Sequence, residues 1–66
     1  MRLKVDRESD ALYLRLDESK IVDSEEVSPG VVLDFNDLDE VVGVEILRLS
    51  KRVGIGDISK VSLETV

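Results

Sequence analysis

The sequence contains no cysteine and no histidine, and its 66 residues include no tryptophan, one tyrosine and one phenylalanine. Without cysteine the chain forms no disulfide, and without thiols or imidazoles it lacks the usual ligands of a structural zinc ion. A serine nucleophile activated by histidine is excluded for the same reason. Because a domain of this size buries little surface by itself, we expect extra buried area from a homodimer.

Positive charge is scarce, and no long apolar run is present. Nine basic residues stand against fifteen acidic ones, which gives a net charge of −6. A phosphate backbone is repelled by such a chain, so we expect no nucleic acid and favour a basic protein partner. Polar and apolar residues alternate from the first residue, which predicts no signal segment and no membrane association. Together with the missing cysteines, this predicts a cytoplasmic protein.

Hydrophobic residues make up 42% of the chain and charged residues 36%. This mixture favours a packed core under a charged surface and argues against disorder. No linker, repeat or low-complexity segment divides the sequence. We therefore predict one domain over residues 1–66.

Alternation of polar and apolar residues with period two predicts strands. The strongest signal lies between Val31 and Leu47, where VVLDF and EVVGVEIL flank a turn rich in Asn and Asp. This segment predicts a β-hairpin with a shared core face, formed by Val31, Leu33, Phe35, Val42, Val44 and Ile46. Gly43, inside the second strand, marks a bulge or a closely packed neighbour. The other predicted strands are Arg2–Asp6, Ala11–Asp17 and a charged edge strand, Ile21–Val27.

The period changes after Leu47. Ser50 is expected to cap a short helical segment that ends at Val53, before Gly54. Residues 61–66 alternate again and are compatible with a final strand. The predicted fold is mainly β with this short helical segment (α+β), a small antiparallel meander of four or five strands.

Four segments follow one another in a characteristic order along the chain: DALYLRL from Asp10, SEEV from Ser24, PGVVLD from Pro29 and VGVEIL from Val42. This series resembles the small prokaryotic family catalogued as domain of unknown function 2283. The resemblance spans about residues 2–52 and implies an antiparallel meander with a short helical segment. It transfers no activity and no catalytic residues. Some members of this family are thought to be encoded beside small toxins. The resemblance therefore implies an antitoxin-like role for this chain as a hypothesis.

Two acidic stretches are candidate partner-binding surfaces. Their residues are Asp23, Glu25 and Glu26 in the predicted edge strand and Asp37, Asp39 and Glu40 in the hairpin turn. Charge on an edge strand also discourages aggregation, which is the simpler interpretation. We expect these acids to steer a basic partner while the strand edge supplies backbone hydrogen bonds.

Three further side chains are candidates for a pocket. Tyr13 and Arg15 share the face of the second strand opposite its leucines, and Glu45 projects away from Val44 and Ile46. A covered Glu45 must find a donor or raise its pKa, which would suit an acid or base. The competing interpretation is a set of ordinary cross-strand pairs.

Five oxygen-bearing side chains fall between Asp34 and Glu40, which raises the question of a metal site. The spacing does not follow the calcium-binding EF-hand, whose loop needs an oxygen ligand where Leu38 stands. A hairpin turn is the favoured interpretation, and no metal or other cofactor is expected. We therefore favour a non-catalytic protein-binding or self-associating module. The alternative is a small metal-dependent or carboxylate-based enzyme that uses this turn or Glu45.

Overall fold

The computed structural model describes residues 1–54 and 56–66 in full and Ile55 by its backbone alone. The prediction of a mainly β domain is confirmed. The five strands are β1 (Arg2–Asp6), β2 (Ala11–Arg15), β3 (Asp23–Ser28), β4 (Val31–Phe35) and β5 (Val41–Leu47). Two 3₁₀ helices follow, over Leu49–Lys51 and Ile55–Asp57. In the described part of the chain, no helix has the length and apolar character needed to cross a membrane.

The strands form one open sheet in the order β1-β2-β5-β4-β3, and every neighbouring pair is antiparallel. Strands β3, β4 and β5 are neighbours in chain order, as in a meander. The whole sheet departs from a simple meander because β2 pairs with β5, and the chain crosses to the far edge between β2 and β3. The most apolar strand, β5, thus occupies the centre, and the acidic strand β3 occupies an edge.

The crossover begins earlier than the sequence predicts. Strand β2 ends at Arg15, two residues before the predicted end, and the Arg15 guanidinium donates hydrogen bonds to the carbonyls of Asp17 and Ser19. Strand β3 begins at Asp23, and a register shift falls between Glu26 and Ser28. The Arg15 side chain thus holds the first residues of the crossover, as far as Ser19, against the end of β2.

Burial in the single chain is shallow. Among the described residues, the buried hydrophobic side chains are Val42, Leu49 and Ile58, with 2, 8 and 9% of their surfaces exposed. Of the six residues predicted to face the core, Val42 is buried and the other five are half-buried. The sheet therefore keeps much of its apolar surface accessible.

The segment after β5 differs from the predicted helix. Arg48 adopts a left-handed conformation at φ 51°, and a 3₁₀ helix spans Leu49–Lys51 rather than the predicted segment from Ser50 to Val53. Ser50 therefore lies inside the helix and is not its cap. The Asp10 carboxylate instead accepts hydrogen bonds from the amide and hydroxyl of Ser50, at 2.9 and 2.7 Å.

Asp10 belongs to the turn between β1 and β2, so it ties the C-terminal segment to the opposite end of the chain. Its carbonyl also accepts a hydrogen bond from the Leu49 amide at 2.9 Å. The segment predicted as a final strand, residues 61–66, is not a strand in the structure. Polar and apolar residues do alternate in this segment, but it does not pair with either edge strand of the described sheet.

Candidate functional site

The polar face of the sheet carries the three predicted pocket residues, but of these only Tyr13 and Glu45 line its cleft, and Arg15 lies outside the lining. Tyr13 on β2 lies between Lys4 on β1 and Glu45 on β5, because each is its direct cross-strand partner. Tyr13 and Glu45 line a cleft of about 460 Å³, and Ile21 from the crossover lines it as well. A volume of this size falls in the range of small-ligand pockets.

Asp34 is the buried carboxylate of this face, with 4% of its surface exposed. Its Oδ1 accepts a hydrogen bond from the Ser24 hydroxyl at 2.6 Å, and its Oδ2 accepts one from the Tyr13 hydroxyl at 3.3 Å. A buried carboxylate requires such donors to offset its lost hydration. The sequence singled out Asp34 only as part of the turn, because strand register was needed to place it beside Tyr13.

Arg15 completes the network from the same strand as Tyr13. Its guanidinium donates to the Tyr13 hydroxyl at 3.2 Å. This hydrogen bond raises the pKa of Arg15 above its ordinary value, and a guanidinium is a cation at physiological pH even without that shift. Tyr13 thus accepts from a cation and donates to a carboxylate.

Gly43 makes this arrangement sterically possible. Its cross-strand partners are Arg15 on one side and Asp34 on the other. A Cβ atom at this position would lie 2.7 Å from Asp34 Oδ2 and 2.9 Å from the Tyr13 hydroxyl. A register shift also falls beside it, between Asp34 and Phe35. The neighbours packed against Gly43 are therefore side chains of the polar network.

Asn36 closes the turn between β4 and β5. It is buried, its Oδ1 accepts hydrogen bonds from the amides of Leu38 and Glu40 at 3.0 Å, and its Nδ2 donates to the Glu40 carboxylate at 2.9 Å. Asp34 faces the polar network instead of this turn. Across the described residues, no three histidine, cysteine or acidic side chains are grouped as metal ligands. Of the turn oxygens, Oδ1 of Asn36 thus bonds the backbone, and the Glu40 carboxylate bonds the Asn36 side chain.

The two predicted acidic stretches meet at one corner of the sheet. Asp23 pairs with Phe35, the last residue before the turn. We call this surface the acidic corner, and its six exposed residues are Asp23, Glu25, Glu26, Asp37, Asp39 and Glu40. The cross-strand partners Leu33 and Val32 place Glu25 and Glu26 on opposite faces of β3. Carboxylates therefore border both faces of this edge.

Two aspartates outside the acidic corner have lowered pKa values. The Asp6 carboxylate accepts hydrogen bonds from the Ser9 amide at 3.2 Å and hydroxyl at 3.0 Å, and these bonds hold its pKa below 3.8. Bonds from the amide and hydroxyl of Ser19 lower the pKa of Asp17 in the same way. Each carboxylate closes a turn next to a strand.

Comparison with known proteins gives one match. A family model described as "Protein of unknown function (DUF2283)" matches residues 2–50, which include all five strands and the start of the first 3₁₀ helix. No curated protein and no solved structure matches the chain.

Proposed function

The chain belongs to the DUF2283 family of proteins of unknown function, and from this premise we propose that it is a non-catalytic protein-binding module. Its partner is a basic protein, and an extended basic segment of that partner docks at the acidic corner. The observation that carries this proposal is the position of β3, an exposed edge strand bordered by carboxylates on both faces.

The backbone of β3 supports docking by strand addition. Its pairing within the sheet is with β4 alone, and all six of its residues are exposed. An extended peptide can therefore join the sheet edge through main-chain hydrogen bonds, which supply affinity with little demand on side chains.

Charge supplies the selectivity. A peptide strand beside β3 places alternate side chains next to Glu25 on one face and Glu26 on the other. Asp37 and Asp39 in the adjacent turn extend the negative field, which speeds encounter with a basic partner. An antitoxin-like role in a prokaryotic cytoplasm is one concrete form of this function.

A synthetic peptide of alternating lysine and valine is a direct probe. We expect it to bind the full chain, to slow hydrogen exchange of β3 amides, and to bind more weakly as salt increases. The variant Glu25→Lys/Glu26→Lys should lower the affinity about tenfold or more, since two favourable charges become unfavourable. Nuclear magnetic resonance reports both the affinity and the affected strand.

The control is Glu8→Lys/Glu64→Lys, which makes the same charge change at exposed positions outside the acidic corner. Because Glu26 also accepts a hydrogen bond from the Gly30 amide, the single variant Glu25→Lys serves as a check that keeps this bond. Equal loss in the control and the β3 variants would contradict docking at this edge. So would tight binding of an alternating glutamate and valine peptide.

A further inference from the structure

The face of the sheet opposite the cleft carries two continuous rows of aliphatic side chains. One row crosses β1, β2, β5 and β4 in that order, and the other runs parallel to it over the same strands. We call these eight residues the aliphatic face: Leu3, Leu14, Val44 and Leu33 in the first row, and Val5, Leu12, Ile46 and Val31 in the second. Direct cross-strand partners link each row.

None of these eight side chains is buried. Leu3 is 46% exposed, and the other seven are half-buried. In the described segment after β5, the side chains of Leu49 and Ile58 are buried. Further along this segment, Val61 and Leu63 are 50 and 80% exposed. A five-stranded sheet of this kind needs a second layer on its apolar side.

We infer that a second copy of the chain supplies this layer, with the aliphatic faces of two protomers stacked against each other. None of its eight residues belongs to the acidic corner, which adjoins it at Glu25, and the inference does not depend on the proposed partner. In such a dimer the sheets lie about 10 Å apart, and the half-buried side chains interdigitate to complete the core.

Charge favours a second copy over a basic or acidic partner at this face. The aliphatic face has no charged member, although the chain carries 24 acidic and basic residues, the sum of 15 and 9. A charged partner would bury its charges here without a counter-charge, which is costly. Two identical apolar faces match each other and form a closed, two-fold pair.

The dimensions of the molecule also allow an interface of standard size. A standard interface buries about 800 Å² on each partner, which corresponds to a patch roughly 28 Å on a side. The two larger dimensions of the molecule are 38 and 30 Å, and the aliphatic face occupies four of its five strands. The aliphatic face would form the apolar centre of the interface, and β3 would lie at its rim.

The edge strands select the orientation of the dimer. Glu25 lies on the same face as Leu33, at the β3 end of the first row, whereas β1 presents the uncharged Leu3 and Val5 on that face. A two-fold axis parallel to the strands places β3 of one protomer over β1 of the other. An axis across the strands would place the two acidic strands over each other, which their repulsion disfavours.

Light scattering tests the association with the protein itself. We expect a mass of twice 7.4 kDa that falls towards 7.4 kDa only on dilution, and a melting temperature that rises with protein concentration. Leu3→Glu, at the open end of a row, and Val44→Thr, at its centre, should each weaken the dimer about tenfold or more. Leu38→Glu is the matched control, because Leu38 is 73% exposed in the turn outside the aliphatic face.

A 7.4 kDa species at every concentration would overturn the inference, even if the basic peptide still bound to β3. A dimer unaffected by both Leu3→Glu and Val44→Thr would overturn it as well. For the orientation, the absence of natural cysteine allows Leu3→Cys and Glu25→Cys protomers to be mixed and treated with a short bismaleimide. We expect links between unlike protomers, and preferential Glu25→Cys self-links would contradict the proposed axis.

Discussion

At the scale of single residues, Gly43 has the tightest steric requirement. It lies on the central strand, where a glycine is otherwise unfavourable because it loses conformational freedom and contributes no packing. Here the missing side chain admits the hydrogen bond between the Tyr13 hydroxyl and the buried Asp34 carboxylate. Glycine thus weakens the strand locally, but it leaves room for the hydrogen bonds that satisfy the buried Asp34 carboxylate.

Gly43→Ala should therefore destabilise the fold by about 2 kcal/mol, since the new Cβ must displace Asp34 or Tyr13. Urea denaturation at fixed protein concentration measures the change in the free energy of unfolding. Gly56→Ala is the matched control, because a Cβ there meets none of the described atoms within 4 Å. Equal stability of the Gly43→Ala variant and the original chain would show that the network relaxes without cost.

The sequence identifies the network only in part. Gly43 in an apolar strand signals a special position, and Tyr13 and Arg15 are expected on one face because they are two residues apart. Asp34 lies in the predicted strand VVLDF, and its side chain is considered only together with the oxygens of the following turn. Only the register between β4, β5 and β2 brings its carboxylate to Tyr13, and such register depends on contacts that are distant along the chain.

At the scale of elements, a carboxylate closes the turn between β1 and β2. Asp6 ends β1 and accepts bonds from the backbone amides of Glu8 and Ser9 and from the Ser9 hydroxyl. Such local bonds from an aspartate to following amides are typical of tight turns. Since the charged form accepts these bonds better, the folded state lowers the pKa of Asp6.

This shift predicts how the contribution of Asp6 depends on pH. The pKa is lower in the folded state, so the stabilisation is complete above the unfolded value of about 3.9 and is lost as the pH falls through the folded value. The original chain should be more stable than Asp6→Asn at neutral pH, and this difference should shrink below about pH 4. Urea denaturation of both chains over a pH series measures it.

The comparison isolates Asp6 because every other titrating group is common to both chains. Asparagine keeps one oxygen that can accept from the Glu8 and Ser9 amides, removes the charge and replaces the second oxygen, which accepts from the Ser9 hydroxyl, with an NH2 group. A difference in stability that grew on acidification would contradict the lowered pKa.

At the scale of the whole molecule, charge is distributed unevenly around the sheet. The net charge is −6, and the six carboxylates of the acidic corner lie along β3 and in the adjacent turn. The ion pairs among the described side chains are Arg2–Glu18 and Lys60–Asp57, both well exposed. Exposed pairs of this kind contribute little, so net repulsion outweighs them.

Added salt should therefore stabilise the chain at neutral pH. Between about 0.01 and 0.1 M the screening length falls from about 30 to about 10 Å, which weakens repulsion within the acidic corner. We expect the melting temperature to rise over this interval at constant protein concentration. Asp37→Asn/Asp39→Asn should reduce that rise, since it removes two of the six charges. A melting temperature that fell with salt would mean that attractive pairs dominate.

The pattern of residues along the chain is enough to predict the mainly β class, the family, the position of the main hairpin and the acidic character of the edge strand. These properties are local, because alternation and turn residues act within a few positions of each other. The strand order, the crossover after β2, the place of Asp34 and the hydrogen bonds from Ser50 to Asp10 are known only from the folded chain. Each of these depends on which distant segments pair, and pairing is settled by the burial and hydrogen bonding of the whole sheet rather than by any one segment.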